Sequence, residues 1–193
     1  MISDRTGTAL EGMEQGTRLV VVGGGASGLM AAGQAADEGA RVLLLERTAR
    51  LGTKLRITGK GRCNLTNMAE FDEFLAHFAF PGSEGESRFF LRNAFARFFA
   101  PDLVAFFEDL GVATVVERGE RVFPASNDAH QVAEALAKFA RQRGVQMQLQ
   151  SRVAEIQCHG GRVRGVALYG GERVEATAIV IATGGVSYPK TGS

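Results

Sequence analysis

Gly23, Gly25 and Gly28 follow directly on the apolar run Leu19-Val20-Val21-Val22 in the spacing Gly-x-Gly-x-x-Gly, and they open a segment of small residues. A carboxylate, Glu46, ends a second apolar run, Val42 to Leu45, about twenty residues beyond the glycines. Each of these residue types has a distinct physical job. Gly23 permits a tight strand-to-helix turn, Gly25 lets backbone come close to a pyrophosphate, and Gly28 lets the helix pack closely on the sheet. The helix start offers free N–H groups and positive dipole to phosphates. A carboxylate at the position of Glu46 can accept from both ribose hydroxyls. A glycine-rich turn of any α/β domain would show the glycines alone. Here strand, glycines, helix, second strand and acid come in the order that dinucleotide binding requires.

A basic loop follows, from Arg47 to Met68. It carries Arg47, Arg50, Lys54, Arg56, Lys60 and Arg62, with no Asp or Glu. Such a loop can supply donors and positive charge to a buried diphosphate. The same six cations could equally coat a solvated loop, since surface Lys and Arg are common. His77, His130 and His159 have no partners at metal-ligand or triad spacing, so no metal site and no Ser-His-Asp chemistry are expected.

Bulk properties set the bounds. A chain of 193 residues suffices for one substantial domain, or one domain with an insertion. With 45% apolar and 22% charged residues it reads as globular, and a net charge of +1 gives no global field to draw in nucleic acid or membrane. Cys63 and Cys158 match no disulfide or zinc framework, which fits a reducing cytoplasm. Residues 1–16 lack a continuous apolar core and read as a mobile leader, not a secretory signal. No apolar run approaches membrane-spanning length.

These residues must be positioned by a βαβ unit: strand Arg18–Val22, helix Ser27–Glu38 closed by Gly39, and strand Arg41–Leu45. From Glu70 to Leu110 the pattern turns helical and holds eleven of the thirteen phenylalanines, with a break near Pro101. Their structural reading is core and interface packing. Val112–Glu117 and Arg121–Phe123 read as a hairpin. Helix Asp128–Arg143 follows, capped by Asp128, with Gln131 placed to complete a capping box and Gly144 as the stop. Short strands at Val145–Leu149, Ser151–Cys158, Arg162–Tyr169 and Arg173–Ala176 include a β-meander turning at Gly160-Gly161 and Gly170-Gly171. The apolar strand Ala178–Ala182 suits a central parallel position. The expected fold is α/β, a Rossmann-type three-layer arrangement with a mostly parallel sheet, a β-meander and a Phe-rich helical segment. Its expected divisions are 1–16, 17–68, 69–127 and 128–193. The last strand leads into a glycine turn with no packing element after it, so a domain cut short is expected.

Four segments together resemble one family: Gly23-Gly24-Gly25-Ala26-Ser27-Gly28-Leu29; Lys54 followed by Gly59-x-Gly61-Arg62-Cys63-Asn64-x-Thr66-Asn67; Val122-Phe123-Pro124-x-Ser126; and Ala182-Thr183-Gly184-Gly185-x-Ser187-Tyr188-Pro189-x-Thr191-Gly192-Ser193. The chain is similar to the BaiN-like NAD(P)/FAD-dependent oxidoreductases, also called the aminoacetone oxidase family of FAD-binding enzymes, and matches their N-terminal half. It departs from them at Lys60, where the family's run before Arg-Cys-Asn carries a third glycine. The resemblance implies FAD as cofactor and NAD(P)H as reductant. It implies that Gly23, Gly25, Ala26, Ser27 and Gly28 hold the pyrophosphate and Glu46 the adenosine ribose. Arg47, Lys54, Gly61, Arg62, Cys63 and Asn64 would lie along the loop beside the flavin, where glycine amides can reach ring atoms. Val153 would pair its backbone with adenine, and Thr183, Gly184 and Gly185 would pass over the cofactor. The catalytic residue is not identified. Cys63 is a candidate redox thiol or a small apolar packing group, and Tyr188 a candidate proton donor or a packing aromatic.

The function implied is hydride transfer from NAD(P)H through the flavin to a conjugated C=C of an unsaturated ring, with a small-molecule substrate. Family members are linked to reduction of a steroid skeleton and of a uracil base in ribosomal RNA, and the basic loop keeps structured RNA open as a partner. Two other classes stand beside this: a non-catalytic or truncated dinucleotide-binding module, and an NAD-binding dehydrogenase domain. The Arg-Cys-Asn loop and the Ala-Thr-Gly-Gly strand argue against the last. The sequence does not indicate the oligomeric state.

Overall fold

The computed structural model describes residues 18–78 and 86–185. Strand β1 (Arg18–Val22) lies parallel to β2 (Arg41–Leu45), with Arg18 opposite Arg41 and Val22 opposite Leu45. Strand β6 (Gln146–Gln148) adds to the far side of β2 and β10 (Ala178–Ile181) to the far side of β1, giving the order β10-β1-β2-β6. Parallel strands covered on both faces call for continuous apolar runs. Val20, Val21 and Val42 to Leu45 are accordingly buried.

The described residues fall into two compact units, one ending at Thr53 and resuming at Ala137, the other running Lys54–Leu136. The first unit has three layers. One face of its parallel sheet, through Val20, Leu43 and Leu45, packs on Val166, Leu168, Val174 and Ala176. Val166, Leu168 and Val174 come from, and Ala176 directly follows, the antiparallel meander of β7 (Val153–His159), β8 (Arg162–Leu168) and β9 (Arg173–Glu175). The other face carries helix α1 (Ala26–Asp37), which buries Gly28, Leu29, Ala32 and Gly33. A Cβ on Gly33 would fall 2.0 Å from Cε1 of Phe139, so glycine sets how closely α1 meets the last turns of helix α5 (Ala129–Gln142). Helix α1 ends in a Schellman motif: Gly39, at φ +85°, donates to Ala36 O, and Ala40 donates to Ala35 O.

In the second unit, β3 (Thr66–Asn67), β4 (Thr114–Glu117) and β5 (Arg121–Pro124) form an antiparallel sheet in the order β3-β5-β4. The helical stretch is three helices: α2 (Phe71–Ala76), α3 (Glu86–Phe95) and α4 (Ala100–Asp109). Pro101 sits in the first turn of α4, where its missing N–H costs nothing, and the Asp102 carboxylate accepts from the Phe99 amide at 2.8 Å. Phe74 meets Phe78, Phe95 and Phe99 with centroids 5.2–5.5 Å apart. Phe89 and Phe90 depart from the packing reading: they are 70% and 85% exposed.

Two further expectations are corrected. Gln131 does not close a capping box on α5. Asp128 caps the helix by accepting from the His130 amide at 2.8 Å, while Gln131 Oε1 accepts from the Ser126 hydroxyl at 2.6 Å. Strand β10 is the outermost strand of the described parallel sheet, not a central one, and Ile181 is 65% exposed. An apolar run reports cover above and below a strand; it does not report a strand's rank across the sheet.

Candidate cofactor site

In the first unit the turn between β1 and α1 is built on backbone that only glycine tolerates. Gly23 has φ +110°, and a Cβ there would lie 2.4 Å from Ala182 O. A Cβ on Gly28 would lie 1.9 Å from Gly23 O, closing the turn onto the helix start. Gly25 differs. It is the N-cap of α1, and a Cβ there meets nothing within 4 Å among the described residues. Its glycine is not required by the fold, so the space in front of it is free for something else to approach.

The donors facing that space suit an anion. The first amide of the α1 ladder is Leu29 N–H, bonded to Gly25 O at 2.9 Å, which leaves the amides of Ala26, Ser27 and Gly28 outside the ladder. No side chain caps this end, and no acid occupies its first turn. Ala26 and Ser27 are exposed. Free N–H groups, positive helix dipole and no competing carboxylate fit a diphosphate.

Glu46, half-buried, follows the last residue of β2 and turns toward the same loop. Its Oε2 accepts from the Gly24 amide at 2.7 Å and its Oε1 from the Thr48 amide at 2.8 Å. Each carboxylate oxygen retains acceptor capacity after one bond. Gly24 is pressed from the other side, where a Cβ would fall 2.5 Å from Leu51 Cδ2, and its carbonyl accepts from the Gly52 amide. The sequence assigns no site role to Gly24, Thr48 or Leu51. The one available signal was the third glycine in the run Gly23-Gly24-Gly25, which the fingerprint does not need.

Beyond β10, Ala182 donates to Val22 O at 2.8 Å, so its segment lies against the glycine turn. Thr183, Gly184 and Gly185 follow, all exposed, with Gly184 at φ +79°. Val153 opens β7 opposite Leu168 and packs against the sheet core as a half-buried side chain. Arg47 is exposed. The structure thus gathers Gly23, Gly25, Ala26, Ser27, Gly28, Glu46 and Ala182 around one turn. Tyr188 lies outside the described residues.

In the second unit the loop Gly59–Asn64 has its own unusual backbone. Gly59, Lys60, Gly61 and Cys63 all take left-handed φ, at +54°, +57°, +86° and +59°. For Lys60 and Cys63, which carry Cβ atoms, this costs about 1 kcal/mol each. Cys63 is buried, and burial pushes its thiol above the ordinary range, partly opposed by a hydrogen bond with Thr58. A buried, protonated thiol favours the packing role over the redox one. Arg62 donates through Nε to Asn127 Oδ1 at 2.7 Å, pairs with Glu117, and lies 4.2 Å above the Phe123 ring. Arg56 binds Glu134 Oε1 at 2.6 Å and His130 Nδ1 at 2.9 Å. Arg56 and Arg62, at least, are therefore committed to protein partners. Lys54 is half-buried, and Asn64 is exposed.

Residues 17–193 match the family model described as the HI0933-like protein Rossmann domain. The chain belongs to this family. The resemblance seen in the four motifs holds, and the expected flavin-dependent oxidoreductase is borne out at the level of the family. The chain is 35% identical over 179 residues to the 3-dehydro-bile acid delta(4,6)-reductase of Clostridium scindens, covering 91% of this chain and 41% of that protein. It is 28% identical over 176 residues to the ribosomal RNA dihydrouridine synthase of Escherichia coli, covering 90% and 41%. The chain spans about two fifths of the length of these curated relatives. Among solved structures, the 3-ketosteroid-delta4-(5alpha)-dehydrogenase of Rhodococcus jostii RHA1 superposes with a TM-score of 0.61 at 19% identity, over 94% of this chain and 49% of that one. That likeness shows the Rossmann-type fold. No helix among the described residues is long and apolar enough to cross a membrane.

Proposed function

We propose that this chain is the FAD-binding portion of an oxidoreductase that reduces a conjugated C=C in an unsaturated ring, with NAD(P)H as the electron source. The observation that carries it is the glycine turn. Gly25 stands at an uncapped helix start with open space before it, and the Glu46 carboxylate is fixed beside the same turn. Gly25, Ala26, Ser27 and Gly28 hold the pyrophosphate through backbone amides, Gly23 shapes the turn that presents them while its own amide donates to Leu45 O at 2.8 Å, and Glu46 accepts from the adenosine ribose. Val153 serves adenine, and Thr183, Gly184 and Gly185 approach the cofactor where side chains would intrude. Arg47, Lys54, Gly61, Arg62, Cys63 and Asn64 are assigned to the flavin end by their motif. When bound, FAD supplies hydride transfer; the chain's own residues supply binding, orientation and exclusion of water.

The substrate class rests on the relatives. One is by name a reductase of a bile-acid ring and another makes dihydrouridine in ribosomal RNA. Both names describe saturation of a ring C=C, and the higher identity of the first favours a small molecule over RNA. The unpaired cysteines suit a reducing cytoplasm, the proposed setting.

The test is direct. Purified protein should take up FAD, turn yellow, and lose its visible band on addition of NADPH or NADH under nitrogen. A colourless protein stabilised against heat by NAD and not by FAD would assign the turn to a different dinucleotide. Retained colour with no bleaching would leave a binding module without the reductive step.

A further inference from the structure

We propose that Arg62 is a positioning residue: it ties the left-handed loop Gly59–Asn64 to β4, β5 and the turn before α5, and does not bind phosphate. The proposal rests on the reading of this loop as the flavin loop, and deepens it.

The guanidinium is held by three partners from three places in the chain. Glu117 lies on β4, 55 residues away, and Asn127 in the turn before α5, 65 residues away. The Phe123 ring, on β5 and buried, lies beneath the guanidinium. A fork of donors, a carboxylate, an amide oxygen and an aromatic face make a match specific to arginine, which lysine cannot reproduce. The loop needs such a tie. Its own bonds are few: Arg62 N–H to Gly59 O at 3.2 Å and Cys63 N–H to Thr58 O at 3.1 Å, both near the long end for amides. Left-handed backbone at non-glycine positions persists only where surroundings over-determine it. Lys60 is exposed and contributes no packing to that end, and Cys63 is the one buried side chain of the loop. Arg62 stands between them. Holding Arg62 therefore fixes where the amides of Gly61 and Asn64 point, and such amides are what a glycine-rich loop offers a planar cofactor.

The test needs no cofactor for its first readout. In the purified full chain carrying Cys158→Ser, Cys63 is the single thiol, buried at 2% exposure and slow toward Ellman's reagent. Arg62→Ala and Glu117→Gln are each expected to raise its labelling rate at least tenfold, and Arg62→Lys by less. Val132→Ala, compared at a urea concentration giving equal stability, should leave the rate unchanged. The second readout uses ligands. Arg62→Ala should keep ADP affinity within twofold while the visible band of bound FAD shifts or loses its fine structure. An unchanged labelling rate in both Arg62→Ala and Glu117→Gln overturns the proposal. So does an equal rise in Val132→Ala, or a tenfold loss of ADP affinity in Arg62→Ala. If Arg62→Ala does not fold, Glu117→Gln and Arg62→Lys decide. If the parent chain takes up no FAD, the flavin reading fails while the labelling still judges the tie.

Discussion

The Gly24 amide donates a 2.7 Å hydrogen bond to Oε2 of Glu46, 22 residues further along the chain. The Thr48 amide takes the other carboxylate oxygen. Both bonds are charge-assisted, so the carboxylate is oriented before any ligand arrives. A ribose meeting Glu46 has no side-chain freedom to freeze there, which is how preorganisation adds affinity.

Glu46→Gln tests this. The amide substituent must point its NH2 at one of two backbone N–H groups, leaving a donor unsatisfied at roughly 1–3 kcal/mol. ADP affinity measured by calorimetry should fall about tenfold or more, since every 1.4 kcal/mol is about tenfold. A lowered melting temperature with unchanged ADP affinity would mean that Glu46 only braces the turn.

The three fingerprint glycines should separate by role. Gly25→Ala adds a methyl to open space, so melting should shift by no more than a degree or two while FAD and ADP binding collapse. Gly28→Ala and Gly23→Ala force the methyl into Gly23 O or Ala182 O and should destabilise the apo protein by about 2 kcal/mol or more. Equal melting losses in all three would show that the space before Gly25 is filled by protein.

Gly33→Ala places its methyl 2.0 Å from Phe139 Cε1. Helix propensity favours alanine by about 1 kcal/mol, but overpacking costs roughly 1–3 kcal/mol. Phe139→Leu removes the obstructing ring edge. A double-mutant cycle in urea should return a coupling of at least about 1 kcal/mol between the two. Additive losses would place the strain elsewhere.

Much of this was legible because local and global demands coincide. The Gly23–Gly28 turn, the Gly39 stop and the apolar strands are each dictated within a few residues, and each fell where expected. What the sequence hid depends on partners far along the chain. The charge of Arg56 and Arg62 was plain, but Glu134 and Glu117 lie 78 and 55 residues away, and nothing local tells a committed guanidinium from a free one. The bracing of Glu46 by Gly24, 22 residues away, was hidden for the same reason. The break at Phe99 was visible in Pro101; the outward turn of Phe89 and Phe90 was not, because ring density says nothing about which face a helix buries.

Lys60 holds a left-handed backbone that glycine would adopt without strain. At φ +57° its Cβ is strained, and the side chain is exposed. Lys60→Gly should therefore be neutral or stabilising by up to about 1 kcal/mol, the left-handed penalty less the added entropy of the unfolded chain. Lys60→Val should cost more than Lys60→Ala, since a branched Cβ fits this region worst. A loss of stability in Lys60→Gly equal to that in Lys60→Ala would show that the lysine's contacts, not its backbone, matter there.

Burial raises the Cys63 thiol pKa, and the sign of the consequence follows from proton counting. Unfolded, the thiol titrates near about 8.5. Between that value and the raised folded one, the folded chain keeps a proton that the unfolded chain has released. Stability then falls with rising pH, by at most about 1.4 kcal/mol per pH unit from this group. The contribution is whole below about pH 8.5 and fades as pH climbs through the folded value. Urea unfolding of the parent from pH 7 to 10 should show this decline, and Cys63→Ala should show less of it, the difference between the two curves being Cys63 alone. Cys158, exposed on β7, should react with iodoacetamide at neutral pH well before Cys63 does. Parallel stability curves for parent and Cys63→Ala would mean that burial leaves the thiol in its ordinary range, whereas a parent that gains stability with rising pH relative to Cys63→Ala, or alkylation of Cys63 as fast as Cys158, would put a thiolate in the loop and reopen Cys63 as a redox group.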